Sequence, residues 1–220
     1  MKQIEIIPTV VPDSLDHLSA TVRRFSSFAR AIHIDAGDGA FVQNKTWFPS
    51  PEDKLENADK ILLEAHLMVE EPREEGLAYI RAGCKRVIAH VEAFSDMTET
   101  RSAIDVWKQH GAEVGLAVLL DTPLEVLEPM ISKCDEVLVM SIATLGQQGA
   151  PYDPRAVDRI KELHSKYPEL VLAVDGGVNE TNIPDLVRAG ATRLSIGSAI
   201  SKSPDPAAAY ENLLDIARGA

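Results

Sequence analysis

The chain has 220 residues, the size of one domain and close to the lower end, roughly 200 residues, of the range for an eight-unit α/β barrel. Its 45% hydrophobic and 25% charged residues exclude a disordered, collagen-like or coiled-coil chain. With 34 acidic against 22 basic residues the formal charge is -12, a field that repels a phosphate backbone, so no nucleic-acid partner is expected.

In chain order, the first apolar β-rich run, Ile4 to Val11, carries Thr9 near its C-terminal end and leads into helical spacing over Ser14 to Phe28. The second run, Ala31 to Ile34, brings His33 and Asp35; two residues apart on one strand, they project to the same face. An irregular stretch, Ala36 to Pro51, follows it. The third run, Ile61 to Met68, contains His66 and precedes a helical stretch at Pro72 to Ala82; the fourth, Arg86 to Val91, ends on His90 and Glu92 before a helix over Thr98 to His110. Next come a fifth run, Val114 to Leu120, with a helix over Leu124 to Lys133, and a sixth, Glu136 to Met140, that ends at Ser141. A second irregular stretch, Ile142 to Asp153, carries Gly146, Gly149 and Pro151 ahead of a helix over Pro154 to Tyr167. The seventh run, Leu170 to Val174, meets Asp175-Gly176-Gly177 and a helix over Ile183 to Ala189; the eighth, Arg193 to Ile196, meets Gly197-Ser198. Strand and helix alternate about every 27 residues, which predicts a parallel sheet with helices outside, closed as a (β/α)8 TIM barrel in a single α/β domain spanning residues 1–220.

Arg81-Ala82-Gly83-Cys84-Lys85-Arg86-Val87 recurs as Arg188-Ala189-Gly190-Ala191-Thr192-Arg193-Leu194. Both copies read as a helix end, a Gly in the left-handed position after it, and a strand start, as does Gly111 after His110. A half-barrel duplication and the ordinary chemistry of αβ loops both account for this. No apolar run reaches the ~18 residues of a membrane helix and the N-terminus lacks a signal peptide's apolar stretch, so a cytoplasmic location without membrane contact is expected. Cys84 and Cys134 make neither a CxxC pair nor a disulfide framework and are expected to be buried apolar residues.

Thr9, His33, Asp35, His66, His90, Glu92, Ser141 and Asp175 gather at strand ends, the face where barrel enzymes carry their chemistry. A lone strand-end histidine is commonly a hydrogen-bonded structural residue. His33, Asp35, His66 and Asp175 together, from three strands, form a two-His, two-carboxylate set suited to one divalent metal ion, with Zn, Fe(II), Mn and Co all fitting. His90 and Glu92 share a face and either orient a ligand or the loop beyond, or make a structural hydrogen bond. His17, His110 and His164 fall on helices and are expected at the surface. Gly176 and Gly177 after strand seven, with Gly197 and Ser198 after strand eight, occupy the loops where barrels commonly bind a phosphate. Glycines let backbone N–H groups approach the anion, and a short helix after Gly197 adds about half an elementary positive charge at its N-terminus. An acidic chain can thus hold an anionic substrate without a basic side chain. Met68 and Met140 either wall a small polar substrate or pack in the core.

His33-Ile34-Asp35-Ala36-Gly37-Asp38-Gly39-Ala40-Phe41-Val42-Gln43-Asn44, His66-Leu67-Met68-Val69, Val174-Asp175-Gly176-Gly177-Val178-Asn179 and Gly197-Ser198-Ala199-Ile200 resemble, in order and spacing, the signature blocks of the ribulose-phosphate 3-epimerase family. The resemblance continues at Thr122 to Leu127 and at Pro204 to Ala209 and spans nearly the whole chain. It implies a barrel that interconverts D-ribulose 5-phosphate and D-xylulose 5-phosphate by inverting carbon 3. It further implies a metal on His33, Asp35, His66 and Asp175, proton exchange by Asp35 and Asp175, and phosphate binding by Gly176, Gly177, Gly197 and Ser198. Thr9, His66, Met68, Met140 and Ser141 complete the expected substrate contacts. The chemistry agrees, since inversion beside a carbonyl needs one group to take a proton from one face and another to return it on the other, each typically worth ~10²–10⁴ in rate.

Several positions depart from the family pattern. Gly37 replaces a Met, which predicts a roomier pocket there, Gln43 replaces a Pro, and Thr9 to Ser14 keeps a hydroxyl at Thr9 but has Pro12 out of pattern. Leu119-Leu120 replaces Asn-Pro, and the Pro-Gly-Phe-Gly-Gly core of the family's phosphate-closing loop is missing from 142–152. Loops of that kind control substrate fit. A 3-epimerase for another ketose phosphate, such as a hexulose 6-phosphate, and a phosphosugar-binding barrel with little turnover therefore stand as alternatives. Schiff-base chemistry is disfavoured because no strand run ends in Lys. The sequence leaves both the metal's identity and a homo-oligomer open.

Overall fold

The computed structural model describes residues 4–146 and 150–220. Eight parallel strands, β1 (Glu5–Val10), β2 (Ala31–Gly37), β3 (Leu62–Met68), β4 (Arg86–His90), β5 (Glu113–Val118), β6 (Glu136–Met140), β7 (Val171–Asp175) and β8 (Arg193–Ile196), pair in sequence order. The Glu5↔Arg193 to Pro8↔Ile196 register then closes β8 onto β1, so the sheet has no edge. Around it run α1 (Leu15–Phe25), α2 (Pro72–Ala82), α3 (Met97–Gln109), α4 (Glu128–Ile131), α5 (Arg155–Lys166), α6 (Ile183–Ala189), α7 (Ser198–Ser201) and α8 (Pro206–Arg218). Among the described residues no helix is long and apolar enough to cross a membrane.

Local chemistry explains the helices. The Ser14 hydroxyl accepts from the His17 N–H to start α1, whose Leu18, Val22 and Phe25 form one buried stripe. Asp96 accepts from Thr98 and Glu99 N–H groups at the start of α3, and Asp205 caps α8 ahead of Pro206. The three glycines expected after helix ends, Gly83, Gly111 and Gly190, all have positive φ. Trp107 of α3 is fully buried and donates its indole N–H to the Arg73 carbonyl at 3.0 Å. A Cβ on Gly76 of α2 would lie 2.6 Å from that indole nitrogen, so α2 and α3 approach this closely only because residue 76 has no side chain. Gly76→Ala is expected to destabilise the protein by about 1–2 kcal/mol in urea denaturation, because forced repacking outweighs the helix-propensity gain. An increase in stability would show that the indole can move aside.

The structure corrects the expected elements in several places. The second strand runs through Asp35 to Gly37, and the connection to β3, residues 38–61, contains no helix, only turns and an isolated Asp38↔Lys45 bridge. The helix expected over Leu124 to Lys133 is a 3-10 turn, Leu124–Leu127, followed by the four-residue α4, since Pro129 supplies no N–H to continue an α-helical ladder. His164 is only half-exposed, its ring packed over Gly190, whereas His17 and His110 are at the surface as expected. Cys84 is buried but Cys134 only half so, and both are free thiols that burial pushes upward in pKa.

Strand register divides the barrel interior into two halves. Ile88, Ala117, Leu138, Met140, Ile142 and Ala173 form an apolar lining on the β4–β7 side. The β8–β1–β2–β3 side is polar, with Thr9 beside His33, His33 beside Glu64 and Asp35 beside His66. Below it, Glu5, Arg193, Glu136, Arg86 and Glu64 form a continuous chain of ion pairs across the barrel floor. Gly115 on β5 makes room for it, since a Cβ there would meet Glu136 Cγ at 2.8 Å.

Candidate active site

The register places one ligand atom from each of His33, Asp35, His66 and Asp175 within 4.8 Å of all the others, at the C-terminal mouth of the barrel. Asp35 Oδ1 lies 3.3 Å from His33 Nε2 and 3.1 Å from His66 Nδ1, and Asp175 Oδ2 lies 3.9 Å from His66 Nδ1. The two carboxylates expected from strands two and seven therefore share one spot.

The ring of His33 is fixed from below. Its Nδ1 faces Glu64 Oε1 at 2.6 Å and Ser195 Oγ at 3.3 Å, while its buried Nε2 makes no hydrogen bond and points to the cluster. A buried imidazole nitrogen without a partner is costly unless something completes it. Two imidazole nitrogens and two carboxylates converging at coordination range are the donor set of a divalent transition ion, so the residues fit one. Glu64 was missed in the sequence, although a charged residue inside an apolar strand run, two before His66 and hence on its face, was the available signal.

Electrostatics separate the two acids. Burial alone would raise Asp35, but the imidazoles of His33 and then His66 beside it overcome this and hold Asp35 below the usual carboxylate range. Burial, and next the charge of Asp35, push Asp175 up to about 6. Burial opposes a charge on His33, yet Asp35 and Glu64 together raise it well above its ordinary value. His90 is pushed down to about 4, chiefly by burial, and is neutral at pH 7.

The cleft above the cluster is bounded by Thr9 and Val11 on the β1 side, Met68, Met140, Ile142 and Leu145 as an apolar wall, and Gly176, Gly177, Gly197 and Ser198 at the far end. Gly176 and Gly177 have φ of 111° and 65°, a conformation other residues rarely take. Gly197 sits so close to Thr9 that a Cβ would meet its Oγ1 at 2.8 Å, and the short helix expected after it is present as α7. His66 lies beneath this cleft, with its Nδ1 against Asp35 and Asp175, and Ser141 lies off it. Ser141 is fully buried and its hydroxyl donates to the Asp175 and Gly176 carbonyls at 2.9 and 2.6 Å, which pins the turn carrying Asp175.

The pocket is not roomier at Gly37. A Cβ there would meet Val42 Cγ2 at 2.7 Å and the Asn44 carbonyl at 2.8 Å, because the β2–β3 loop folds back into the space. Asp38 anchors that loop, accepting from the Ala40, Phe41 and Glu70 N–H groups. Asn44 and Leu145, which also line the cleft, were not singled out in the sequence. In the divergent 142–152 loop, Ile142 bridges Tyr152, and residues 147–149 lie outside the described residues.

Comparison with known proteins agrees with this architecture. The chain is 33% identical over 182 residues to a ribulose-phosphate 3-epimerase of Bacillus subtilis, covering 80% of this chain and 82% of that one. It is 30% identical over 221 residues to a ribulose-phosphate 3-epimerase of Escherichia coli, covering 98% and 95%. Solved structures of a 3-hexulose-6-phosphate synthase from Salmonella typhimurium (TM-score 0.71, 16% identity, 98% and 99% coverage) and a 3-keto-L-gulonate-6-phosphate decarboxylase from Vibrio cholerae (TM-score 0.69, 11% identity, 98% coverage of each) share the fold. The model of the ribulose-phosphate 3 epimerase family matches residues 5–201, and with these relatives it establishes that the chain belongs to that family of isomerases.

Proposed function

We propose that the protein inverts carbon 3 of a ketose phosphate, interconverting D-ribulose 5-phosphate and D-xylulose 5-phosphate by proton transfer through a planar ene-diolate. The observation that carries this reading is the pair of carboxylates, Asp35 and Asp175, brought to one spot from β2 and β7. Inversion beside a carbonyl needs one group to take a proton from one face and a second to return it on the other, and two carboxylates can fill both roles. With the substrate's reacting carbon between them, each serves one face, and their roles exchange in the reverse direction.

His33 Nε2, Asp35, His66 Nδ1 and Asp175 would hold the divalent ion. Bound there, such an ion supplies Lewis-acid stabilisation of the negative charge that develops on the substrate oxygens. The glycine-rich loops after β7 and β8 would take the phosphate through backbone N–H groups, and Met68, Met140 and Ile142 would keep water from the reacting carbon.

The test is deuterium incorporation at carbon 3 in D₂O, with pentulose 5-phosphate and hexulose 6-phosphate compared on enzyme stripped of metal and then reloaded. Exchange and epimerisation of ribulose 5-phosphate that vanish with a chelator and return with a divalent ion are expected. Faster turnover of the hexulose phosphate would replace the substrate, and tight binding of either sugar without exchange would replace the reaction.

A further inference from the structure

We infer that Glu92 is a positioning residue that selects, through His90, the tautomer of His66 able to bind a cation. The inference rests on the metal reading above and goes beyond it. His66 touches a neighbour at each ring nitrogen: Nδ1 faces Asp35 and Asp175, and Nε2 lies 2.9 Å from Nε2 of His90. For Nδ1 to offer a lone pair to a cation, the single proton of the neutral ring must sit on Nε2. A contact between two imidazole nitrogens holds one proton, so His90 Nε2 is then the acceptor. The proton of His90 must therefore sit on its Nδ1, which is 3.4 Å from Glu92 Oε2.

Each step leaves one arrangement. Were His90 to carry its proton on Nε2, it would donate to His66, force the His66 proton onto Nδ1 and place it where the cation belongs. It would also turn a bare Nδ1 lone pair toward the Glu92 carboxylate. Both rings are fully buried and meet nitrogen to nitrogen at 2.9 Å with their planes 29° apart, which leaves no room for a water between them. His90 Nδ1 and Glu92 Oε2 are both buried, face each other at 3.4 Å and make no hydrogen bond in this geometry, while Glu92 Oε1 accepts from the Leu119 N–H at 2.9 Å, which fixes the carboxylate's orientation. A group hydrogen-bonded directly behind a ligating histidine, the place His90 takes here, typically governs ~10–100-fold in metal affinity or activity, and Glu92 acts through it.

The test reads tautomers and metal affinity rather than turnover. In Zn²⁺-loaded wild-type protein, ¹⁵N spectra of the histidine rings are expected to show His66 protonated at Nε2 and His90 at Nδ1. Glu92→Gln keeps the shape but offers an amide that can donate to His90 Nδ1; it is expected to shift His90 toward the Nε2–H form. Co²⁺ affinity of the metal-stripped variant, measured by chelator competition, should fall at least ~10-fold with an unchanged urea midpoint. A wild-type spectrum with His90 protonated at Nε2 overturns the inference, as does a Glu92→Gln protein whose Co²⁺ affinity stays within about 2-fold of wild type, well short of the typical effect. Should Glu92→Gln not fold, the wild-type spectrum still decides. Wild-type protein that takes up neither Zn²⁺ nor Co²⁺ refutes the metal reading together with the inference, whereas normal wild-type uptake with an unaffected variant refutes the inference alone.

Discussion

Asp35→Asn and Asp175→Asn are each expected to lower epimerisation by at least ~10²–10⁴-fold while moving the stability of the metal-free protein in opposite directions. Asp175 is held at about 6 against an ordinary value of 3.8, so its folded state favours the neutral form. The stability this lends is complete below pH 3.8 and is lost as pH rises through about 6. A rise from 3.8 to about 6 corresponds to at most roughly 3 kcal/mol. Metal-stripped Asp175→Asn should accordingly be more stable than wild type at pH 7, by up to that amount, with the gap closing near pH 4. Asp35 lies below its unfolded value, so its contribution is present above pH 3.8 and fades only as pH falls through its lower folded value. Asp35→Asn should destabilise at pH 7. Urea titrations at both pH values, run beside the exchange assay, check the pair. Normal epimerisation by either variant would refute the two-acid assignment, and an Asp175→Asn protein no more stable than wild type would refute the electrostatic account of that carboxyl.

The second large effect is expected at Glu64, which touches no part of the cleft. Its carboxylate receives His33 Nδ1 at 2.6 Å and pairs with the buried Arg86 guanidinium. Glu64→Ala breaks a buried ion pair and opens a cavity. The cost should lie near the lower end of ~3–5 kcal/mol, because Arg86 keeps Glu113 at 2.8 Å. The His33 ring also loses the acceptor that keeps its Nε2 free, so metal affinity should fall by ~10–100-fold. Glu64→Gln separates the two roles: it retains volume and an acceptor oxygen but removes the charge, and is expected to lose less stability than Glu64→Ala while still weakening the metal. Chelator competition and urea denaturation measured together would decide. Wild-type values for both variants would mean that Ser195 Oγ, 3.3 Å from the same nitrogen, suffices to hold the ring.

Buried ion pairs connect the floor of the barrel to its mouth. The ion-pair chain from Glu5 through Arg193, Glu136, Arg86 and Glu64 ends on His33, a cluster member. Half of the interior is given to polar and charged side chains, and each buried charge is tolerated because its neighbour carries the opposite sign or a hydrogen bond. The apolar half, on β4 to β7, supplies the water-excluding wall.

What the sequence alone determined is whatever depends on neighbours a few residues apart. Strand runs, most of the helices, the glycines after three helices and the placement of His33 with Asp35 on one face all follow from periodicity and local turn chemistry, whereas the last helix, Pro206–Arg218, was not read. Where that local logic was interrupted, at Pro129 and over residues 38–61, the helix expected from pattern shortened or the alternation lapsed. The tertiary structure decided which nitrogen of each histidine faces the cluster, that Ser141 turns toward the β7 carbonyls, and that Val42 and Asn44 fill the space above Gly37. The physical reason is closure of the sheet. Ring orientation and void filling are set by atoms such as Ser195 Oγ, which lies 162 positions along the chain from His33 and becomes its neighbour only once β8 has paired with β1.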